Sequence, residues 1–170
     1  TLSAPDAFEL LRGLGSDVPF FAVGGRAAGF GRGDEIFPLE DHTDYWLVLV
    51  NRSGLAISTA EAYSWLTIPD EAGSIEGFRA KFLSGCGTEP AVNDFEQPVF
   101  ARYPELAAIK QELLGLGAFR AALSGSGAAI FGQFGQESGA LQAALLLSGR
   151  FQVHVTKPLP RSEYLQKMFV

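Results

Sequence analysis

From Tyr45 onward the chain alternates between two apolar rhythms, and their order leaves few folds open. Tyr45 to Asn51 (YWLVLVN) is a continuous apolar run of strand length, the pattern of a strand covered on both faces. Ser58-Thr59-Ala60-Glu61 sets a hydroxyl residue three positions before a glutamate, a capping box that opens a helix through Ala62, Trp65 and Leu66. Ile75 to Leu83 is a second helical candidate, and Asn93-Asp94-Phe95-Glu96 repeats the cap-then-glutamate arrangement with asparagine in place of serine. Pro104 suits a first helical turn; Leu106, Ile109 and Leu113 then share a face until Gly115 and Gly117 stop the helix. Phe119 to Leu123 reads as a short strand, Ser124-Gly125-Ser126-Gly127 as a loop, and Ile130 to Phe134 as the returning strand. Leu141, Ala144, Leu145 and Ser148 predict a helix before a last strand, Phe151 to Thr156. Strand, helices, strand, strand, helix, strand is the ferredoxin-like split β-α-β order. It predicts an α+β fold, an antiparallel sheet with helices on one face. The sequence holds no internal repeat and no low-complexity segment.

Residues 1–44 read differently. Ser3, Pro5 and Asp6 mark a helix start, with Phe8, Leu11 and Leu14 as its apolar face and Gly13 and Gly15 as its end. From Val18 to Leu39, Phe21 and Val23, then Ala28 and Phe30, predict strands broken by Gly24-Gly25 and Gly31-Arg32-Gly33. A helix and a hairpin have no partner layer of their own to bury against, so this stretch is assigned to another domain. The expected division is therefore 1–44 and 45–170.

Composition excludes several classes. The 170 residues are 47% hydrophobic and 19% charged, enough apolar material for one core. A net charge of −6 with no basic stripe argues against a nucleic-acid partner. No apolar run approaches the roughly 20 residues of a membrane span, and Thr1-Leu2-Ser3-Ala4 lacks the basic start of a signal peptide. The chain starts without methionine, which fits processing or further chain upstream. One cysteine, Cys86, cannot build an internal disulfide framework and suits a reducing compartment, so a cytoplasmic location is expected. As a nucleophile it would need His42 or His154 as a base, and its setting, SGCGT, reads as a turn.

Few residues could carry chemistry. Asp17 lies between a glycine-serine pair and Val18-Pro19-Phe20-Phe21; a carboxylate at a tight turn among apolar neighbours can serve as a general base, or simply bond nearby amides. Ser124-Gly125-Ser126-Gly127 could let consecutive N–H groups cradle a phosphate, or be a tight hairpin turn. Neither GxxxxGK[ST] nor GxGxxG is present. Gly29-Phe30-Gly31-Arg32-Gly33 has the wrong spacing for a nucleotide loop and reads as hairpin glycines. Glu40-Asp41-His42-Thr43-Asp44 could bind a cation, but adjacent charges suit a solvated loop better, and no metal-ligand spacing is visible. Lys157 and Arg161 are read as surface residues beyond the last strand.

Taken together, several stretches resemble one family in order and spacing. Leu14 to Phe21 (LGSDVPFF) resembles the segment carrying the catalytic aspartate of the diphosphocytidyl-methylerythritol kinases, and Gly25 to Glu35 (GRAAGFGRGDE) the strand pair after it. Ser58 to Tyr63 is similar to their helix start after the first C-terminal strand. Asn93 to Phe100 (NDFEQPVF), Tyr103 to Gly117 and Leu123 to Phe134 (LSGSGAAIFGQF) continue the match. The last contains the third glycine motif of the GHMP superfamily, named for galacto-, homoserine, mevalonate and phosphomevalonate kinases.

The resemblance implies ATP-dependent phosphorylation of a hydroxyl on a cytidine-diphosphate-linked methylerythritol, with ATP and magnesium as cofactors. It implies that Asp17 orients or deprotonates that hydroxyl. Gly125, Ser126 and Gly127 would support the phosphate region, and Thr59 would line the substrate pocket. Residues 1–44 become a remnant of the GHMP N-terminal domain and 45–170 the C-terminal domain. The family's main phosphate loop, its lysine and much of the cytidine pocket lie in a longer N-terminal half, the expected partner of this chain. Ala128 and Ala129 depart from the proline or serine and threonine more usual after the glycine motif. A mevalonate- or homoserine-type kinase and a non-catalytic ligand-binding module are the alternatives.

Overall fold

The computed structural model describes residues 4–67 and 93–168. The helix expected at 75–83 and Cys86 lie outside them.

The sheet is built as the sequence order requires. Strands β3 (Trp46–Asn51), β4 (Arg120–Leu123), β5 (Ile130–Phe134) and β6 (Gln152–Thr156) form one antiparallel sheet in the order β4-β5-β3-β6. The first strand of the unit thus lies between the third and the fourth, the split β-α-β topology. Val48 stands opposite Gly132 on one side and Val155 on the other, and Leu123 opposite Ile130. Within β3 burial alternates: Val48 and Val50 are fully buried, and Leu47 and Leu49 half-buried.

One face of this sheet carries the core. Helix α5 (Pro104–Gly115) lies on β4 and β5, and α6 (Glu137–Leu147) on β3, β5 and β6. Leu106, Ile109 and Leu113 of α5 meet Val48, Val50, Ile130 and Phe134 in a single cluster. Burying each such side chain contributes about 1.5–3 kcal/mol. Helix α6 buries Ala140, Ala143 and Leu147, not the expected stripe: Leu141 and Leu145 point outward, exposed by 53% and 76%. Its sequence is apolar on both sides, and the alanine side lets the helix approach the sheet closely. Between β3 and α5 come α3 (Thr59–Ser64) and α4 (Glu96–Arg102). Ser58 is the N-cap of α3, but its side chain makes no cap bond, and the helix stops before Trp65 and Leu66. The capping box is therefore present in sequence without its reciprocal bonds.

The N-terminal stretch departs further from expectation. Helix α1 (Ala4–Leu14) forms, but Leu14, placed on its apolar face, is 77% exposed. Val18–Val23 is not a strand but a second helix, α2, with Pro19 in its first turn. Strands β1 (Ala27–Phe30) and β2 (Glu35–Pro38) then pair as a hairpin, a separate two-stranded sheet.

Arg161 is half-buried and bonded, where an unengaged surface residue was expected. It opens the last helix, α7 (Arg161–Met168), and its guanidinium donates to the carbonyls of Gly24 (3.2 Å), Leu39 (3.2 Å) and Arg26 (2.6 Å). Asp41 answers from the acidic cluster: Oδ1 accepts the Arg26 amide and Oδ2 the Arg161 amide, both at 2.7 Å. Tyr164 Oη donates to the Phe21 carbonyl at 2.6 Å. Asp41 is thus a two-armed acceptor that ties the hairpin to α7, where a solvated loop was expected.

Candidate functional site

The β4–β5 connection is the glycine loop. The ladder runs one step beyond Leu123 and Ile130, with the Ser124 amide donating to the Ala129 carbonyl at 2.8 Å. Gly127 then donates to the Ser124 carbonyl at 3.0 Å, closing a turn. Gly125 and Gly127 both have φ in the left-handed region, +55° and +95°, which L side chains rarely adopt. A Cβ on Gly127 would also crowd Leu123 and Ile57, at 3.2 and 3.3 Å, whereas Gly125 has nothing within 4 Å. The loop is a hairpin turn by geometry, with an open side at Gly125. Among the described residues the amides of Gly125 and Ser126 have no backbone acceptor.

Two of the expected site elements come together. Thr59 is the first residue of α3, and its Oγ1 lies 3.3 Å from Ser126 Oγ, with either hydroxyl able to donate. The start of the helix after β3 therefore meets the glycine loop across 67 residues of sequence. Both side chains are accessible enough to turn toward a ligand: Thr59 is exposed and Ser126 half-buried.

Asp17 stands in the other layer, at the N-cap of α2, exposed and making no cap bond with its side chain. It is neither a turn aspartate bonding its own amides nor a carboxylate enclosed by apolar neighbours. It borders a depression lined by Phe20, Phe21, Gly29, Gly33 and Ile36. Its carboxylate lies 4.0 Å from where a Cβ on Gly33 would sit. Nearby in the same hairpin turn, partial burial pushes the Asp34 carboxyl up. The amides of Asp34 and Arg32 and the Arg32 guanidinium outweigh it and hold the pKa below the ordinary value. Among the described residues no hydrogen bond joins Asp17 to the glycine loop, and no group of three or more His, Cys, Asp or Glu could hold a metal ion.

Sequence reasoning missed what holds the loop. Asn93 Nδ2 donates to the carbonyls of Leu123 (3.0 Å) and Gly125 (2.8 Å), and Oδ1 accepts the Phe95 amide at 3.0 Å. Glu96 Oε1 accepts the Leu123 amide at 3.0 Å, while Oε2 pairs with Lys110 Nζ at 2.6 Å. Asn93 is not the cap expected of it: the N-cap of α4 is Phe95, Asn93 forms an Asx turn just before it, and Glu96 is turned to β4. The local pattern carried a signal for the cap and none for the distant partner.

The chain is similar to known proteins over most of its length. Residues 73–150 match the family described as GHMP kinases C terminal. That stretch is just under half of the chain. Over 154 residues the chain is 39% identical to the 4-diphosphocytidyl-2-C-methyl-D-erythritol kinase of Solibacter usitatus, covering 86% of the chain and 48% of the relative. It is similar to the crystal structure of a 4-(cytidine 5'-diphospho)-2C-methyl-D-erythritol kinase, with a TM-score of 0.70 and 30% identity over 89% of the chain and 56% of that chain. Homoserine kinase from Cytophaga hutchinsonii shares the fold, with a TM-score of 0.54 and 15% identity over 84% of the chain and 50% of its own. The chain spans about half the length of the curated relatives it matches. Among the described residues no helix is long and apolar enough to cross a membrane.

Proposed function

We propose that the full protein transfers the γ-phosphoryl group of ATP, with magnesium, to a hydroxyl of 4-diphosphocytidyl-2-C-methyl-D-erythritol, a step of the non-mevalonate route to isoprenoids. The observation that carries this reading is the likeness to a kinase of that name across 89% of the chain, at 30% identity. The likeness to a homoserine kinase, at 15%, is one of fold alone.

In this reading the substrate oxygen forms a bond to the γ-phosphorus as the bond from that phosphorus to the bridging oxygen breaks, and ADP leaves. Asp17 orients the hydroxyl and takes its proton, and its exposure at the head of α2 suits a group that must meet a substrate. The open backbone at Gly125 and Ser126, with the Thr59 and Ser126 hydroxyls 3.3 Å apart, suits contact with phosphate oxygens and a neighbouring substrate group. Positioning and electrostatics of this kind carry most of the catalysis in phosphoryl transfer. Residues 1–44 belong to the N-terminal domain and 45–170 to the C-terminal domain. The main phosphate loop, the lysine and the cytidine pocket come from the rest of the protein, in the cytoplasm.

The test is ADP release by the full-length protein with ATP, magnesium and the diphosphocytidyl substrate, beside Asp17→Asn. Loss of a general base is expected to lower kcat by about 10²–10⁴-fold. An unchanged rate would remove Asp17 from catalysis, and preferred turnover of homoserine or mevalonate would overturn the substrate. The 170-residue chain alone is expected to show no turnover.

A further inference from the structure

The glycine loop is rooted in its own ladder bonds and gripped beside them, at Leu123 and Gly125, by two side chains that the proposed reaction does not use. Leu123, the last residue of β4, has its carbonyl bonded to Asn93 Nδ2 and its amide bonded to Glu96 Oε1. The same Asn93 nitrogen reaches the Gly125 carbonyl, inside the loop. Both residues sit at the head of α4, 27 to 32 positions upstream.

The chemistry of the amide makes the arrangement specific. Asn93 presents its donor side to two carbonyls and its oxygen to the Phe95 amide, so a flipped amide would set oxygen against both carbonyls. Aspartate, nearly the same shape, has no donor to offer. Glu96 is fixed in turn: its second oxygen bonds Lys110 of α5, and the two side chains are only 17% and 23% exposed. The Lys110 ammonium also lies 5.8 Å from the centre of the Phe100 ring. On the opposite side, Ser126 meets Thr59. The loop is therefore suspended between the heads of two helices, and the Asn93 side chain is hydrogen-bonded to both its root and its interior.

We infer that Asn93 is a positioning residue for the Gly125–Gly127 loop, with the Glu96–Lys110 pair as its support. It touches no reacting atom; it sets where the loop's backbone stands. The catalytic part of this inference rests on the proposed kinase activity, whereas the positioning part does not.

The experiment uses the full-length protein with Asn93→Asp, and reads amide exchange alongside kinetics. Losing two bonds to the loop is expected to speed exchange at Gly127 by about tenfold or more, with Val48 in β3 unchanged. In the same variant kcat is expected to fall by about tenfold or more while KM for the alcohol substrate stays within about twofold, as when positioning is lost without loss of binding. If the aspartate variant fails to fold, Asn93→Ala, which removes the donors without adding charge, decides by the same readings. Unchanged exchange at Gly127, or an equal rise at Val48, overturns the inference. If the wild-type protein does not phosphorylate the diphosphocytidyl substrate, the activity reading fails, and exchange at Gly127 still decides whether Asn93 holds the loop.

Discussion

The sheet and the N-terminal layer are held by different forces. In the sheet and its helices, Val48, Val50, Val99, Leu106, Leu113, Ile130 and Leu147 are wholly buried. Among the described residues of 4–44, Pro19 and Phe30 are the buried apolar side chains, while Leu10, Leu14, Phe21 and Phe37 are exposed. Among the described residues the hydrogen bonds that join that layer to α7 come from one carboxylate, one guanidinium and one phenol meeting backbone groups. Burial is non-directional and tolerates small shifts, whereas hydrogen bonds fix position and fail when geometry or charge changes. The region with the loop thus has a stiff base. The region with Asp17 is placed by a clamp at the other end of α2: Phe20 and Phe21 line Asp17's depression, while the carbonyls of Phe21 and of Gly24, just past the helix, are bonded from α7.

The largest effect is expected on the buried side. Leu113 is wholly buried, with Cδ2 3.1 Å from where a Cβ on Gly132 would lie. Leu113→Ala leaves a hole between α5 and β5 that rigid neighbours cannot fill, and should destabilise the protein by about 2–5 kcal/mol in urea denaturation. A loss under about 1 kcal/mol would mean that the sheet does not depend on this packing.

A smaller, local effect is expected at the clamp. Gly24 ends α2 with φ +64°, and a Cβ there would lie 2.1 Å from Tyr164 Cδ1. Gly24→Ala must push the ring aside and strain the backbone, at about 1–3 kcal/mol. The bond from Tyr164 to the Phe21 carbonyl should be lost with it. Faster amide exchange at Tyr164 and Leu39 with no change at Val48 would sharpen the contrast; equal acceleration in β3 would break it.

Which parts were legible in sequence follows the same division. Apolar periodicity reports burial, so β3, β4, β5, β6 and α5 could be read, along with the order that makes the fold. Helix α6 could be found but not turned, because its leucines and alanines surround the axis and the choice of face depends on how closely it meets the sheet. VPFFAV was ambiguous: a six-residue apolar run has the length of a strand, and only Pro19 after Asp17 pointed to a helix. The clamp left no local trace. Arg161 and Asp41 stand 120 positions apart, and each looks like an ordinary surface charge until the other is in place. Asn93 and Glu96 read locally as a cap and a first-turn glutamate; the cap is Phe95 instead, and their use lies in a loop that only folding brings near. The Thr59–Ser126 pair was legible only through family resemblance, which named both residues without saying that they touch.

The finest test of the contrast is pH. The amide of Arg161, then that of Arg26, holds the Asp41 carboxyl below its ordinary value of 3.8, with the two cationic side chains adding to the effect and partial burial opposing it. A carboxyl whose pKa is lower in the folded state stabilises that state when ionised. Its contribution is complete above the unfolded value and is lost as pH falls through the folded one. Between neutral pH and about pH 5 the clamp should therefore be intact, and below the ordinary aspartate range it should open. Protonated Asp41 can still accept one amide, so the change is expected to be small and confined to α7 and the hairpin. Chemical shifts of the Arg26 and Arg161 amides should titrate together below 3.8, and Asp41→Asn should abolish that titration. Val48 and Ile130, with no titratable partner in the buried cluster, should not move in the same range. If they titrate with the clamp, the two regions are one cooperative unit and the distinction between them fails.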